Sequence, residues 1–286
     1  MAKKALTVKK AAEIQAKQTI NMGGKMEDFN SFSTSCTNNA TCQARINSAI
    51  EHIRNHSAEA AEIINRYLLP GNDKQHISGK KCVELLEKLG VHACVCIFCY
   101  ADKAQSWQHG ARNKFQANGE YMKELHEAAE LPEFTPAFIN GMLVYRIEAE
   151  GDLHSVTHAR NYIKGVNRPE YASVNFALWT KNPEYLWKAI LAEGGKPKNI
   201  QFVLSSLKVN VPDLHNFERY NAMCMEKFGY PLFDKLFTVW TEKGAAAANA
   251  IFNCCGSECN KDRKCKNCLN CYKSSGYNTF VNELLR

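Results

Sequence analysis

The run MLVYRIEAEGDLHSVTHARNYIKGVNRPEYASVNFALWTKNPEYLWKAILAEGGKPKNIQFVLSS (142–206) decides the fold. Three short apolar segments within it, at 142–150, 172–180 and 199–206, read as strands. Stretches with helical periodicity separate them, at about 155–166 and 184–193. The alternation extends outward: a helix around 115–130 precedes the run, and a helix near 216–227 and the strand LFTVWTE (236–242) follow it. This rhythm predicts an α/β fold of parallel β/α units, whose strands can line a complete or partial barrel. Ligands then collect at the C-terminal strand ends. Those ends carry Glu150, Gly151, Asp152 and His154; then Trp179, Thr180, Lys181 and Asn182; then Ser205 and Ser206; and last Trp240, Thr241, Glu242 and Lys243. Carboxylate, hydroxyl, ammonium and amide groups recurring at successive strand ends predict a binding site on one rim.

Upstream, DFNSFSTSC (28–36) reads as a first strand running into Cys36. A helical stretch from about Gln43 to Leu68 follows, with Ile46, Ile50, Ile53, Ala60, Ile63, Ile64 and Leu68 near helical spacing, and Pro70-Gly71 ends it. A helix at roughly 79–89 stops at Gly90 and leads into VHACVCIFCYAD (91–102). The expected organisation is an N-terminal arm (1–27), a β/α body (28–245) with a helical insertion at about 43–90, and a cysteine-rich C-terminal segment (246–286).

Composition narrows the class. Hydrophobic residues make up 45% and aromatics 10% of 286 residues, as in an ordinary globular protein. No stretch approaches the roughly 18 apolar residues of a membrane span. The opening MAKKALTVKKAAEIQAK (1–17) is basic but lacks the apolar core of a signal peptide. A cytoplasmic protein with reduced thiols is expected, with no membrane partner. The net charge of +7 concentrates near the N-terminus and at Lys261, Arg263, Lys264, Lys266 and Lys273. The second group either neutralises nearby thiolates or forms a patch that faces the phosphates of a nucleic acid. There is no Walker or Rossmann fingerprint.

The cysteines carry the chemistry. Of 13, all but Cys82 and Cys224 fall into three groups: Cys36 and Cys42; Cys94, Cys96 and Cys99; and Cys254, Cys255, Cys259, Cys265, Cys268 and Cys271. Cys265-Lys-Asn-Cys268-Leu-Asn-Cys271 is a doubled C-x-x-C, a spacing that aims successive sulfurs at one point. Gathered thiolates repel one another unless a metal ion or an iron–sulfur core neutralises them. Disulfide frameworks belong to short secreted chains without a large core, so a metal or cluster site is expected. Cys82 and Cys224 lie in helical patterns and are expected to be buried apolar residues. His92, His109, His154 and His158 are surface or hydrogen-bonded side chains in the simplest reading and metal or proton ligands in the other.

The loop Cys94-Val-Cys96-Ile-Phe-Cys99-Tyr100-Ala101 resembles the cluster loop of the radical S-adenosylmethionine superfamily, C-x3-C-x2-C followed by an aromatic residue. Cys96-x2-Cys99-Tyr100 matches its second half, and His92 stands where the first cysteine is usual. Cys94 is one substitute; Cys36 and Cys42, brought in across the helical insertion, are the other. Five stretches, FSTSC-x5-C-x2-R (32–45), CIFCYA (96–101), YRIEAEGDLHSVTHARNYI (145–163), FALWTKNP (176–183) and the terminal C-x2-C-x2-CY, resemble a phage and prophage family usually called the "gene product eighty-eight" type. That family is regarded as radical-SAM-like. Here some fifty residues separate cysteine pairs that the family keeps close.

The resemblance implies a partial (β/α) barrel of radical-SAM type holding two [4Fe-4S] clusters. Cys36, Cys42, Cys96 and Cys99 would serve the first. Cys265, Cys268 and Cys271 would serve the second, with either Cys255 or Cys259 as the fourth ligand. Glu150-Gly151-Asp152 stands in the place of the motif that holds the methionyl amine of S-adenosylmethionine. Thr180, Asn182, Ser205 and Ser206 stand where the superfamily contacts the cofactor's carboxylate and ribose. The implied activity is reductive cleavage of S-adenosylmethionine and hydrogen abstraction from an unknown substrate. Three thiolates leave one iron open for that cofactor; a fourth closes it and favours electron transfer. The rival readings are a zinc or cluster module that binds nucleic acid through its basic tail, and an all-cysteine redox or sensing protein.

Overall fold

The computed structural model describes residues 16–99, 101–102, 105, 108–254, 264–273 and 279–285. It is a mixed α/β structure around one sheet. Strands β1 (Ser31–Phe32), β3 (Met142–Ile147), β4 (Val174–Thr180), β5 (Ile200–Ser205), β6 (Lys235–Trp240) and β7 (Phe280–Leu284) are parallel and lie side by side in chain order. A short strand β2 (Ala137–Ile139) pairs antiparallel with β3 through Asn140-Gly141. Both turn residues have positive φ, 47° and 80°, as a two-residue hairpin turn requires.

Parallel strands in unbroken chain order, with right-handed crossovers, place successive connecting helices on the same face. Helices α5 (Val156–Val166), α6 (Pro183–Glu193) and α7 (Leu214–Phe228) pack in that order. Alternate strand residues meet them: Tyr145 and Ile147, Phe176 and Leu178, Phe202 and Leu204, and Leu236 form one core with Tyr162, Leu186, Ile190 and Phe217. The intervening residues, Arg146, Trp179, Ser205, Phe237 and Val281, face the other way into a cavity. This period-two alternation separates an apolar helix side from a chemically varied inner side.

Local rules set the boundaries. The single helix expected over 43–68 is two, α1 (Ala40–His56) and α2 (Ala58–Leu68). Ser57 is extended and its hydroxyl accepts the Ala60 N–H, ending one helix by capping the next. Helix α3 (Gly79–Lys88) is capped by Ser78 in the same way. These three helices share a second core, with Ile53, Ile64, Tyr67, Val83 and Leu86, that also takes in Val209 and Leu285. Helix α4 (His109–Tyr121) and a short turn at Ala128–Glu130 replace the helix expected over 115–130. The sheet continues past residue 245: β7 lies inside the segment expected to be only cysteine-rich, and pairs with β6 over Phe280–Leu284. No helix among the described residues is long and apolar enough to cross a membrane. Cys82 and Cys224 are fully buried in the cores.

Candidate metal centre

The first cysteine group assembles from three elements. Cys36 follows β1; its N–H donates to Gln105 Oε1 (3.1 Å) and its thiol to the Glu150 carbonyl (3.1 Å). Cys42 sits in the first turn of α1, where the Asn39 side chain accepts its N–H (3.1 Å) and donates to the Asp152 carbonyl (3.1 Å). Cys96 lies on the short turn Val95–Phe98 and Cys99 directly follows it; the turn is tied down by Val95 N–H to Leu207 O (2.8 Å). The helical insertion therefore returns the chain to where it left, with the Cys42 and Cys99 thiols in hydrogen-bonding reach of Cys36. Cys94 and Cys96 make a second close pair. Hydrogen bonds from Cys36 and Cys96 bring Cys99 and Cys94 each down to about 6. Cys36 is pushed up by its hydrogen bonds with Cys42 and then Cys99, and Cys96 by its bond with Cys94, with burial adding to both. Lys181 stands beside Cys94 and Cys99 as a cation that favours their ionised form.

The strand-end residues divide into two kinds. Glu150, Gly151, Asp152, Ser205 and Ser206 line the same cavity as these cysteines; Thr180 and Asn182 do not. The Asp152 carboxylate accepts from Thr180 Oγ1 (2.6 Å), Lys181 N–H (3.1 Å) and Leu153 N–H (2.8 Å), with Arg45 Nη1 at 3.7 Å. Asn182 accepts from Arg45 Nη2 (2.5 Å) and donates to the Leu153 carbonyl (3.0 Å). Ser206 Oγ lies 3.0 Å from Thr238 Oγ1 and accepts from Asp213 N–H (3.0 Å). These groups bind strand ends to one another. Glu150 differs: its backbone carbonyl is used, and burial raises the pKa of its carboxyl against the pull of Lys114.

The C-terminal group packs on the inner face from the other direction. Cys265 and Cys268 occupy a one-turn helix, Leu269 reverses the chain at φ 53°, and Cys271 sits in the next turn. Leu269 and Tyr272 are buried with Phe29, Val144 and Ala177, and Tyr272 stacks on Phe29 with centroids 5.2 Å apart. Lys264 reaches Glu27 (2.5 Å) and Lys266 reaches both Glu27 (2.9 Å) and Asp28 (2.7 Å). Two cations of the expected basic patch thus fasten the tail to the arm. Burial pushes the Cys271 thiol up to about 12, although Arg146 and Lys235 beside it pull the other way. Cys255 and Cys259, the two candidate fourth ligands, lie outside the described residues, as does Tyr100. Cys254 is buried against Val203, Phe237 and Val281.

Both cysteine groups open into a single cavity of about 230 Å³, lined by Cys36, Cys42, Cys96 and Cys99 and also by Cys254, Cys265, Cys268 and Cys271. No group of three or more His, Cys, Asp or Glu side chains among the described residues converges closely enough to hold a single metal ion. A cluster makes a different demand, since its ligands stand around an inorganic core. The surrounding charge fits such an anionic group. Lys235 is fully buried, and its Nζ has no hydrogen-bond partner among the described residues; Arg146 Nε and Gln201 Oε1 are likewise buried and unpartnered.

Several inner-face residues went unread in the sequence. Glu148 is buried, with its carboxylate accepting from Thr34 N–H (3.1 Å) and Tyr162 OH (2.5 Å) and lying 3.3 Å from His158 Nε2. Arg146, Gln201 and Lys235 share the cavity side of their strands with it. A charged residue at an inward strand position is the signal that could have marked them. No protein-family model, curated protein or solved structure matches this chain.

Proposed function

We propose that this is a cytoplasmic iron–sulfur protein on a partial (β/α) barrel of radical-SAM type, with two [4Fe-4S] sites that face a shared chamber. The observation that carries the reading is that cysteines more than two hundred residues apart line one cavity, together with Glu150, Asp152, Lys181 and Ser205. Six parallel strands in chain order support the barrel. Cys36, Cys42, Cys96 and Cys99 hold the first cluster. Cys265, Cys268 and Cys271 hold the second, completed by Cys255 or Cys259. When bound, the clusters and S-adenosylmethionine supply one-electron chemistry at an unreactive carbon of the substrate. The chain's own part is to bind and to exclude water. Glu150 offers the carboxyl for the methionyl amine, Ser205 a hydroxyl, and Trp179 and Phe237 an apolar wall. Asp152, Thr180 and Asn182 hold the strand ends that carry those groups.

The second reading is an electron-transfer or sensing protein whose first cluster is closed by four thiolates. It is favoured by the four grouped thiols and by the full internal bonding of Asp152, Thr180 and Asn182. A nucleic-acid role for the basic tail is weaker, because Lys264 and Lys266 are paired with Glu27 and Asp28. The test is anaerobic reconstitution, with iron and sulfide counted, followed by reduction with dithionite and addition of S-adenosylmethionine. More than one cubane's worth of iron and release of 5′-deoxyadenosine is the expected result. Iron without cleavage, and a spectrum indifferent to the cofactor, selects the second reading. Stoichiometric zinc and no iron removes both.

A further inference from the structure

The C-terminal cysteine turn lies over a particular piece of the inner face. Ala177 on β4 is in register with Arg146 on β3 and Gln201 on β5, and Lys235 on β6 is in register with Val203, two residues beyond Gln201. Leu269 and Tyr272 pack on Ala177, whose small side chain leaves room for the turn. Cys271 therefore faces two cations that stand on either side of β4 and β5, Arg146 on β3 and Lys235 on β6. Arg146 is 6% exposed and Lys235 is 0% exposed. Neither makes a salt bridge among the described residues, and Arg146 instead lies over the Trp179 ring, 3.9 Å from its centroid. Nearby Glu148 is already occupied by Thr34, Tyr162 and His158. A buried lysine amine and a buried guanidinium Nε, each without a hydrogen-bond partner, are unfavourable, so the sequence keeps them for something that arrives.

We infer that Arg146 and Lys235 are the built-in counter-charges of the C-terminal site, matched to a four-thiolate group of net charge −2. This rests on the iron–sulfur reading above. A [4Fe-4S]²⁺ core with four thiolates carries two negative charges, and a three-thiolate cluster only one. Two buried cations therefore call for a fourth cysteine and a closed site, with no iron left for an external ligand. They also favour the extra electron of the reduced state, because net charge and hydrogen bonding around a cluster set its potential. Lys235 and Arg146 act through the cluster as tuning residues. The chamber's open coordination position, where there is one, belongs to the other site.

The experiment compares wild type, Lys235→Met and Lys235→Arg as full chains with both sites loaded, using potentiometric titration followed by electron paramagnetic resonance. The C-terminal signal is identified as the one lost in Cys268→Ala. Lys235→Met should shift that signal's midpoint to more negative potential at unchanged iron content, Lys235→Arg should restore it, and the other signal should stay in place. Thermal unfolding supplies the second reading: Lys235→Met should raise the Tm of metal-free protein, because it removes a buried polar group that has no hydrogen-bond partner among the described residues. Unchanged midpoints with full iron, or a lower Tm for metal-free Lys235→Met, would overturn the inference and leave the iron–sulfur reading intact. Wild type that takes up zinc and no iron would overturn that reading instead. The inference would then require Lys235→Met to raise Tm without metal and lower it with zinc; the same sign in both would sink it.

Discussion

Arg146 covers the indole of Trp179, and Trp179 packs in turn on Phe237 with ring centroids 4.8 Å apart. This ladder crosses the inner face from β3 to β6 and forms one wall of the cavity that the two cysteine groups share. A cation over an aromatic face contributes about 0.5–2 kcal/mol, more when water is excluded. Replacing the indole by a smaller apolar side chain also leaves a void. Trp179→Leu should therefore destabilise the metal-free protein by about 3 kcal/mol in urea unfolding, while the ligand cysteines still load iron. A change within about 0.5 kcal/mol, the range of an ordinary surface substitution, would mean that the wall carries no packing load.

Asp152 and Glu150 are neighbours at the same strand end with opposite expected behaviour. Asp152 accepts three hydrogen bonds and faces Arg45, so Asp152→Ala should cost about 3–5 kcal/mol, as removal of one partner from a buried charged network does. Glu150→Gln should leave unfolding unchanged and weaken S-adenosylmethionine binding, read by equilibrium dialysis on iron-loaded protein. If Asp152→Ala is stable and loses only cofactor affinity, the roles are reversed.

Gly151 is a packing requirement. A Cβ there would run into the Glu148 carboxylate and lie 2.6 Å from the Thr34 carbonyl oxygen. Backbone cannot yield as a flexible side chain does, so Gly151→Ala should destabilise by roughly 1–3 kcal/mol. Denaturant midpoints of metal-free protein check it, and Gly141→Ala serves as a comparison in which positive φ strains the backbone but no atom lies within 4 Å.

Acid should loosen the same corner. Burial, then the neighbouring His158, hold His154 down to about 4, below its ordinary value of 6.5. Between those values the unfolded chain takes up the proton and the folded one does not. Stability is therefore full above about 6.5, falls as pH drops toward about 4, and is then level, a change on the order of 3 kcal/mol. Glu148 adds to it near the carboxylate range. Burial raises its pKa, but the hydrogen bond and charge of His158 and the Tyr162 hydroxyl outweigh this and leave it lowered. Its contribution is present above the ordinary carboxylate value and lost as pH falls through the lowered one. Urea unfolding of metal-free protein between pH 7 and 4 should show the slope, and His154→Asn should flatten its upper part.

Much of the body was legible because strands and helices report themselves locally. The expected strands at 142–150, 172–180, 199–206 and 236–242 correspond to Met142–Ile147, Val174–Thr180, Ile200–Ser205 and Lys235–Trp240, with bounds that differ by up to three residues. The antiparallel strand before Asn140-Gly141 was missed although that dipeptide marks a hairpin. So was the strand at 280–284, hidden behind a tail read for its cysteines. The split at Ser57 was missed because the apolar spacing continues on both sides of it.

Residue order alone determined that the chain is built of β/α units and that its cysteines come in C-x-x-C spacings, since periodicity and short cysteine turns are properties of a few consecutive residues. Only the tertiary structure decided which polar groups are spent. Thr34 with Glu148, Arg45 with Asp152 and Cys36 with Glu150 each join positions more than a hundred residues apart. A strand end looks the same in sequence whether its carboxylate is satisfied by a distant arginine or left facing a cavity. The physical reason is that hydrogen-bond satisfaction and buried charge balance belong to the folded neighbourhood. Lys235 becomes informative only once its Nζ is seen to be buried near Cys271 with no hydrogen-bond partner among the described residues.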